Sequence, residues 1–199
     1  MAEQQLTNGK KYTLGADPHQ PGTPLSSQQM WIKDENGNIL LKSKFAETST
    51  IKLLAEGMVL GGMIDLKLFD NSGNFVGSTK AEVAPKNLFQ GAAMKSFSIY
   101  KEPEHKLVVG IHMPIGALYP KIIFLDESGK QLWYLQGSAV NLFTMTHKLY
   151  TLDDVLVGAF NFDLKTKAHT MQCNDPKFTP FLIFGTWVIL QSDSSKMLV

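Results

Sequence analysis

Near the C-terminus the sequence reads Lys177-Phe-Thr-Pro-Phe-Leu-Ile-Phe-Gly-Thr-Trp-Val-Ile-Leu-Gln-Ser-Asp193. It contains the longest uncharged apolar run of the chain, 14 residues from Phe178 to Gln191. A helix that spans a membrane needs about 20 such residues. We therefore expect this run to be buried within the protein, and the chain not to span a membrane.

The run is compatible with a helix or with a central strand. Thr179 is suited to the N-cap and Pro180 to the first helical position, whereas Gly185 and four β-branched residues oppose a helix. A segment that is apolar on every face must be surrounded in either form. A closed sheet surrounds a helix more easily than a further strand. The residues by themselves leave a buried helix and a core strand both open.

Three segments upstream of this run repeat one hairpin pattern. Each has an apolar strand, then Asp-x-(Asn/Ser)-Gly, then a second strand. Asp at the first turn position can accept a hydrogen bond from the backbone, and Gly at the fourth supplies the positive φ of a G1 bulge. The pattern predicts antiparallel hairpins over Trp31–Lys44, Leu66–Thr79 and Ile122–Leu135, with turns at 34–37, 70–73 and 126–129.

Strand-like segments fill most of the remaining chain. They include two further hairpins and three single strands, which raises the total to about ten to twelve strands, more than one open sheet holds without curling or splitting. We predict a single all-β domain over 1–199, with 1–9 and 194–199 as loose ends. Regular short strands separated by Gly and Pro indicate either a β-sandwich or a β-barrel. The additional segments are Ser96–Gly110, Asn161–Met171, Lys11–Leu14, Ile51–Leu60 and His147–Leu152.

Charge and composition limit the expected partners and compartment. All 19 basic residues are lysine, against 18 Asp and Glu, so the formal net charge is +1. Proteins that bind nucleic acids usually have a positively charged surface and use arginine to form bidentate hydrogen bonds with bases and phosphates. This chain is nearly neutral and has no arginine, so we expect no nucleic-acid partner. Cys173 is the single cysteine, and the N-terminal sequence has no apolar core of a secretory signal. We expect a cytoplasmic protein.

The sequence contains no recognised catalytic or metal-binding motif. The five histidines are scattered, although His169 and Cys173 would share one face of a strand. The carboxylates at the three turns lack the ligand spacing of a calcium loop. Neither a Gly-x-Ser-x-Gly elbow nor a phosphate-binding loop is present. We expect no cofactor and no metal, favour a non-enzymatic protein, and leave catalysis open.

The order of these parts resembles the tubby C-terminal-like superfamily, which includes phospholipid scramblases and LURP-one-related proteins. The similarity covers roughly residues 10–193 in coarse pattern, from the repeated hairpins to the terminal apolar run. It implies a closed or nearly closed antiparallel barrel of about 12 strands around one C-terminal hydrophobic helix, which we take as the expected fold, with a β-sandwich as the alternative. In that fold we predict a buried helix over Pro180–Leu190, with Phe181, Phe184, Trp187, Val188 and Leu190 packed on strands. The calcium-binding segment implied by scramblases would correspond to Ala168–Lys177, which offers only Asp175, so the resemblance extends to the fold and to no functional residue.

Lysines at alternating strand positions are the candidate binding residues. They are Lys42 and Lys44 in one hairpin and Lys165 and Lys167 in another. Together with the resemblance, they suggest a non-enzymatic module that binds an anionic lipid headgroup at a membrane surface, or a protein partner. Alternating lysine is also typical of a solvent-exposed sheet face and of edge protection. The alternative function is a small-ligand-binding barrel, or an enzyme with an unrecognised pocket.

Overall fold

A computed structural model shows twelve strands and one helix within the residues it describes, which are 6, 9–17, 29–45, 66–82, 94–114, 121–141, 144–163 and 168–194. The helix, α1, spans Pro180–Ser194. The strands are β1 (Lys10–Ala16), β2 (Met30–Lys33), β3 (Ile39–Phe45), β4 (Leu66–Asp70), β5 (Phe75–Glu82), β6 (Met94–Lys101), β7 (Lys106–Pro114), β8 (Lys121–Leu125), β9 (Gln131–Asn141), β10 (Thr144–Thr151), β11 (Leu156–Asp163) and β12 (Ala168–Cys173).

The twelve strands form one closed antiparallel barrel. Each strand pairs with the next along the chain, and β1 pairs with β12 to close the sheet. The predicted barrel with a single C-terminal helix is confirmed, and the sandwich alternative is wrong. The predicted hairpins pair as expected, whereas the strand predicted over Ile51–Leu60 lies outside the described residues.

The Asp-x-x-Gly turns join adjacent strands as their sequence predicts. Oδ1 of Asp34 accepts hydrogen bonds from the backbone amides of Asn36 and Asn38, at 2.9 and 2.8 Å. The side-chain hydrogen bond from Asn38 is the largest cause of a lowered Asp34 pKa. The β-ladder shifts register by one residue beside each turn, as a G1 bulge requires. Asp70 and Asp126 repeat the arrangement, and Gly37, Gly73 and Gly129 have φ of 82, 86 and 81°.

Helix α1 runs through the middle of the barrel. The Thr179 hydroxyl accepts a hydrogen bond from the backbone amide of Leu182 at 3.5 Å, which caps the first turn. The helix continues to Ser194, four residues beyond the predicted end. Phe181 and Leu190 are partly buried. The fully buried helix side chains are Leu182, Ile183, Phe184, Thr186, Trp187, Val188 and Ile189.

Gly185 lets α1 lie close to the wall of the barrel. A Cβ atom at this position would be 2.7 Å from Cδ1 of Ile99 on β6. Glycine costs a helix about 1 kcal/mol relative to alanine. The close packing against Ile99 explains why a poor helix former stands in the middle of α1.

The two ends of the barrel differ. The turn end carries the tight turns after β2, β4, β6, β8 and β10, together with the link from β12 to α1; the loop end carries the other connections and the end of α1. At the turn end, the Phe178 ring packs edge-to-face on Phe124 and Trp133, with centroids 5.5 and 5.3 Å away. Nε1 of Trp133 donates a hydrogen bond to Asp175 at 2.8 Å. These contacts hold the chain where it enters the helix.

Candidate functional site

The outer surface of β2, β3 and β4 places lysines beside two aromatic rings. Trp31 lies opposite Lys42, and Lys42 lies opposite Phe69. Two of the four predicted lysines, Lys42 and Lys44, are here, whereas Lys165 and Lys167 lie outside the described residues. We call this surface the lysine–aromatic face; it consists of Trp31, Lys33, Lys42, Lys44, Lys67 and Phe69.

The aromatic rings of this face are contacted by lysine ammonium groups. Nζ of Lys33 lies 4.2 Å from the ring centroid of Trp31, and Nζ of Lys44 lies 5.7 Å from that of Phe69. Nε1 of Trp31 donates to Asp17 at 3.2 Å. Trp31 is half-buried on the outside of the barrel, because its neighbour Ile32 points inwards.

The lysines of this face have no carboxylate partner within the described part of the chain. Lys33, Lys42, Lys44 and Lys67 form no ion pair with any carboxylate that the structure describes. Lys44 and Lys67 are direct cross-strand partners, and like charges in that position destabilise a sheet. The face is therefore locally basic although the whole chain is nearly neutral.

Acidic residues are concentrated elsewhere, at the turn end. Ten of the 18 carboxylates of the chain lie in or beside its turns and link. The turn end also carries fewer lysines than carboxylates, so it is acidic. The ten carboxylates are Asp34, Glu35, Asp70, Glu102, Glu104, Asp126, Glu127, Asp153, Asp154 and Asp175.

A second candidate site is a cleft at the loop end, between α1 and the inner surfaces of β10, β11 and β12. We call it the mouth cleft. Its volume is about 40 Å³, which is room for a few water molecules. The principal lining residues are Met145, His147, Phe160, Phe162, His169 and Trp187.

Both histidines of the mouth cleft are neutral at pH 7. Nδ1 of His169 accepts a hydrogen bond from Nε1 of Trp187 at 3.0 Å, so the ring proton is assigned to Nε2. Burial lowers the pKa of His169 to about 4 and also lowers the pKa of His147. Sequence reasoning did not single out His147, although its alternation with the core residue Leu149 places it on the inner surface.

His169 and Cys173 do not form the catalytic pair that their spacing allowed. Both face inwards, but four residues of a strand separate their Cα atoms by roughly 13 Å. The thiol of Cys173 lies 3.7 Å from the carbonyl oxygen of Asp175, and burial raises its pKa to about 11. A protonated thiol is a weak nucleophile. Among the described residues, no three His, Cys, Asp or Glu side chains are grouped to hold a metal.

Stability is expected to fall as pH is lowered from about 6.5 to about 4. The ordinary pKa of His169 is 6.5 and its folded pKa is about 4, so the unfolded chain binds more protons in this range. The full shift corresponds to on the order of 3 kcal/mol in the free energy of unfolding, and solvent around the partly exposed ring reduces this contribution, which is present above pH 6.5 and lost towards pH 4. Urea unfolding measured at a series of pH values checks this expectation.

The matched variants for this measurement are His169→Gln and His112→Gln. Glutamine at 169 keeps an acceptor for Trp187 and cannot titrate, so the slope between pH 6.5 and 4.5 should become shallower. His112 lies on the outer surface of β7, so its replacement is the control for removing an imidazole outside the mouth cleft. An unaltered slope in His169→Gln would contradict the assignment. The turn carboxylates, whose ordinary pKa is 3.8, contribute only below about pH 5.

Comparison with known proteins finds no match to this chain. No family model, no curated protein and no solved structure matches the chain. The resemblance to tubby-like proteins therefore stays a prediction from the hairpin order and the terminal apolar run. In the part of the chain that the structure describes, no helix is long and apolar enough to cross a membrane.

Proposed function

We propose that this protein is a non-enzymatic binding module that attaches to anionic lipid surfaces through the lysine–aromatic face. The supporting observation is the group of four lysines on three adjacent strands, none of which pairs with a carboxylate among the described residues. Each lysine close to an anionic membrane contributes about 1 kcal/mol of attraction. Four of them supply a reversible, salt-dependent attachment.

Edge protection does not explain these lysines. Exposed sheet edges are commonly protected by lysine, but the closed barrel has no edge. The opposed pair Lys44 and Lys67 also costs the sheet stability. A role in binding negative charge accounts for both observations.

The uneven charge of the barrel would orient it on such a surface. An anionic bilayer attracts the lysine–aromatic face and repels the turn end with its ten carboxylates. Trp31 and Phe69 add amphipathic and apolar rings beside the lysines, and aromatic rings of this kind favour the headgroup level of a bilayer. The lysine–aromatic face would therefore contact the lipid, and the barrel axis would tilt so that the turn end points away from the bilayer.

Vesicle co-sedimentation tests the proposal. Binding to vesicles that contain phosphatidylserine is expected, with weak or no binding to phosphatidylcholine alone, and added salt should weaken it. The double variant Lys42→Gln/Lys44→Gln should lose roughly thirtyfold in affinity, because two lysines each contribute about 1 kcal/mol.

The matched control carries the same change of charge at the turn end. Lys106 and Lys130 are exposed there, and Lys106→Gln/Lys130→Gln should bind vesicles almost as the unmodified chain does. Equal binding to both vesicle types would overturn the proposal, as would equal losses in the two double variants. Absence of vesicle binding would leave a protein partner as the better explanation of the face.

A ligand inside the barrel, the alternative suggested by the sequence, is disfavoured by α1. The helix occupies the space that smaller ligand-binding barrels leave for their ligand. For the described residues, a small-ligand role is therefore restricted to the mouth cleft.

A further inference from the structure

We propose that the mouth cleft binds the hydroxyl end of a small uncharged amphiphile, such as a primary alcohol, with His147 as its hydrogen-bonding partner. This site is separate from the lysine–aromatic face, because it lies at the loop end inside β10, β11 and β12. The proposal concerns a different ligand and does not depend on lipid-surface attachment.

The walls of the cleft suit an apolar ligand body. Met145, Phe160, Phe162, Trp187 and Leu190 provide most of the lining, and no lysine or carboxylate is among the described lining residues. A charged group would lose its hydration there without gaining an opposite charge, which is costly. An uncharged ligand avoids that cost.

His147 supplies the polar contact that such a ligand needs. Its ring makes no hydrogen bond with any described residue, and a neutral imidazole offers one donor and one acceptor. By contrast, His169 already accepts from Trp187. The imidazole of His147 is partly exposed and has no protein partner among the described residues, so a ligand hydroxyl group can take the place of water as its hydrogen-bonding partner.

The register of the strands gives the depth of this contact. His147 lies opposite Phe160, whereas Met145 and Phe162 form the next pair towards the loop end. A hydroxyl group bonded to His147 would therefore lie deeper in the cleft than Met145 and Phe162, which are nearer to the loop end. The cavity of about 40 Å³ admits only the head of a ligand, and Met145, His147, Phe162 and Leu190 are all partly exposed. The apolar body would extend outwards along these side chains.

Nuclear magnetic resonance with three matched probes tests the site. The probes are 1-hexanol, hexanoate and hexylammonium at neutral pH, observed through the Met145 methyl group and the ring nitrogens of His147. Saturable shifts of both signals are expected with 1-hexanol. Hexanoate and hexylammonium should bind at least about tenfold more weakly, because their charges would be desolvated.

Variants of His147 separate hydrogen bonding from packing. His147→Leu should weaken 1-hexanol binding about fivefold, the effect of one hydrogen bond, while His147→Gln should retain most of the affinity. His112→Leu on the outer surface is the control and should bind as the unmodified chain does. Any of three results would overturn the proposal: no saturable shift with 1-hexanol, tighter binding of a charged probe, or unchanged affinity in His147→Leu. Should His147→Leu fail to fold, the loss of saturable 1-hexanol binding in His147→Gln would have the same consequence.

Discussion

A chain that ends at Thr179 is expected not to fold. The truncation removes α1, and with it six fully buried apolar side chains from the centre of the barrel. Each such side chain contributes roughly 1.5–3 kcal/mol when buried, so the combined loss is comparable to the whole stability of a typical domain, about 5–15 kcal/mol. The six are Leu182, Ile183, Phe184, Trp187, Val188 and Ile189.

Thermal unfolding followed by circular dichroism measures this outcome. The chain that ends at Thr179 should show no cooperative transition and should expose apolar surface to a fluorescent dye. The control ends at Ser194 and keeps all of α1, so it should unfold cooperatively, as the full chain does. A soluble, cooperatively unfolding product that ends at Thr179 would show that the strands can form a core without the helix.

Local chemistry made the turns predictable from the sequence. Asp at the first position and Gly at the fourth are required by the hydrogen bonds and the positive φ of one short turn, and both requirements are met within five residues. The burial of the apolar run was predictable from its composition, whereas its form, a helix within a closed barrel, was expected from the family resemblance. A segment without a polar face has to be surrounded, and a closed sheet offers the space.

The candidate sites were harder to predict because they depend on contacts between distant segments. Lys44 and Lys67 are neighbours only because β3 and β4 pair across the connection 46–65. Alternation along β2 places Trp31 on the side of the strand opposite to Ile32, but its neighbours Lys42 and Phe69 are set by the pairing of β2 with β3 and of β3 with β4. The mouth cleft requires Trp187 of α1 to meet His169 of β12, and no local pattern determines how far a central helix reaches along its barrel.

The second large effect is expected for Trp187→Ala, which should lower the free energy of unfolding by about 3–5 kcal/mol. Trp187 is 4% exposed, stacks on Phe184 with centroids 6.0 Å apart, and donates to His169. Alanine would leave a cavity beside the mouth cleft and a half-buried imidazole without its donor. Urea unfolding monitored by circular dichroism gives the difference between the two chains.

Trp31→Ala is the matched control, because it removes the same side chain from the outer surface of the barrel. Trp31 is half-buried, and its indole meets Lys33 and Asp17 at the surface, so its loss should cost only about 1 kcal/mol. The contrast between the two tryptophans separates burial from residue type. Equal costs for the two variants would contradict the central position of α1, since a helix at the barrel wall would leave Trp187 no more buried than Trp31.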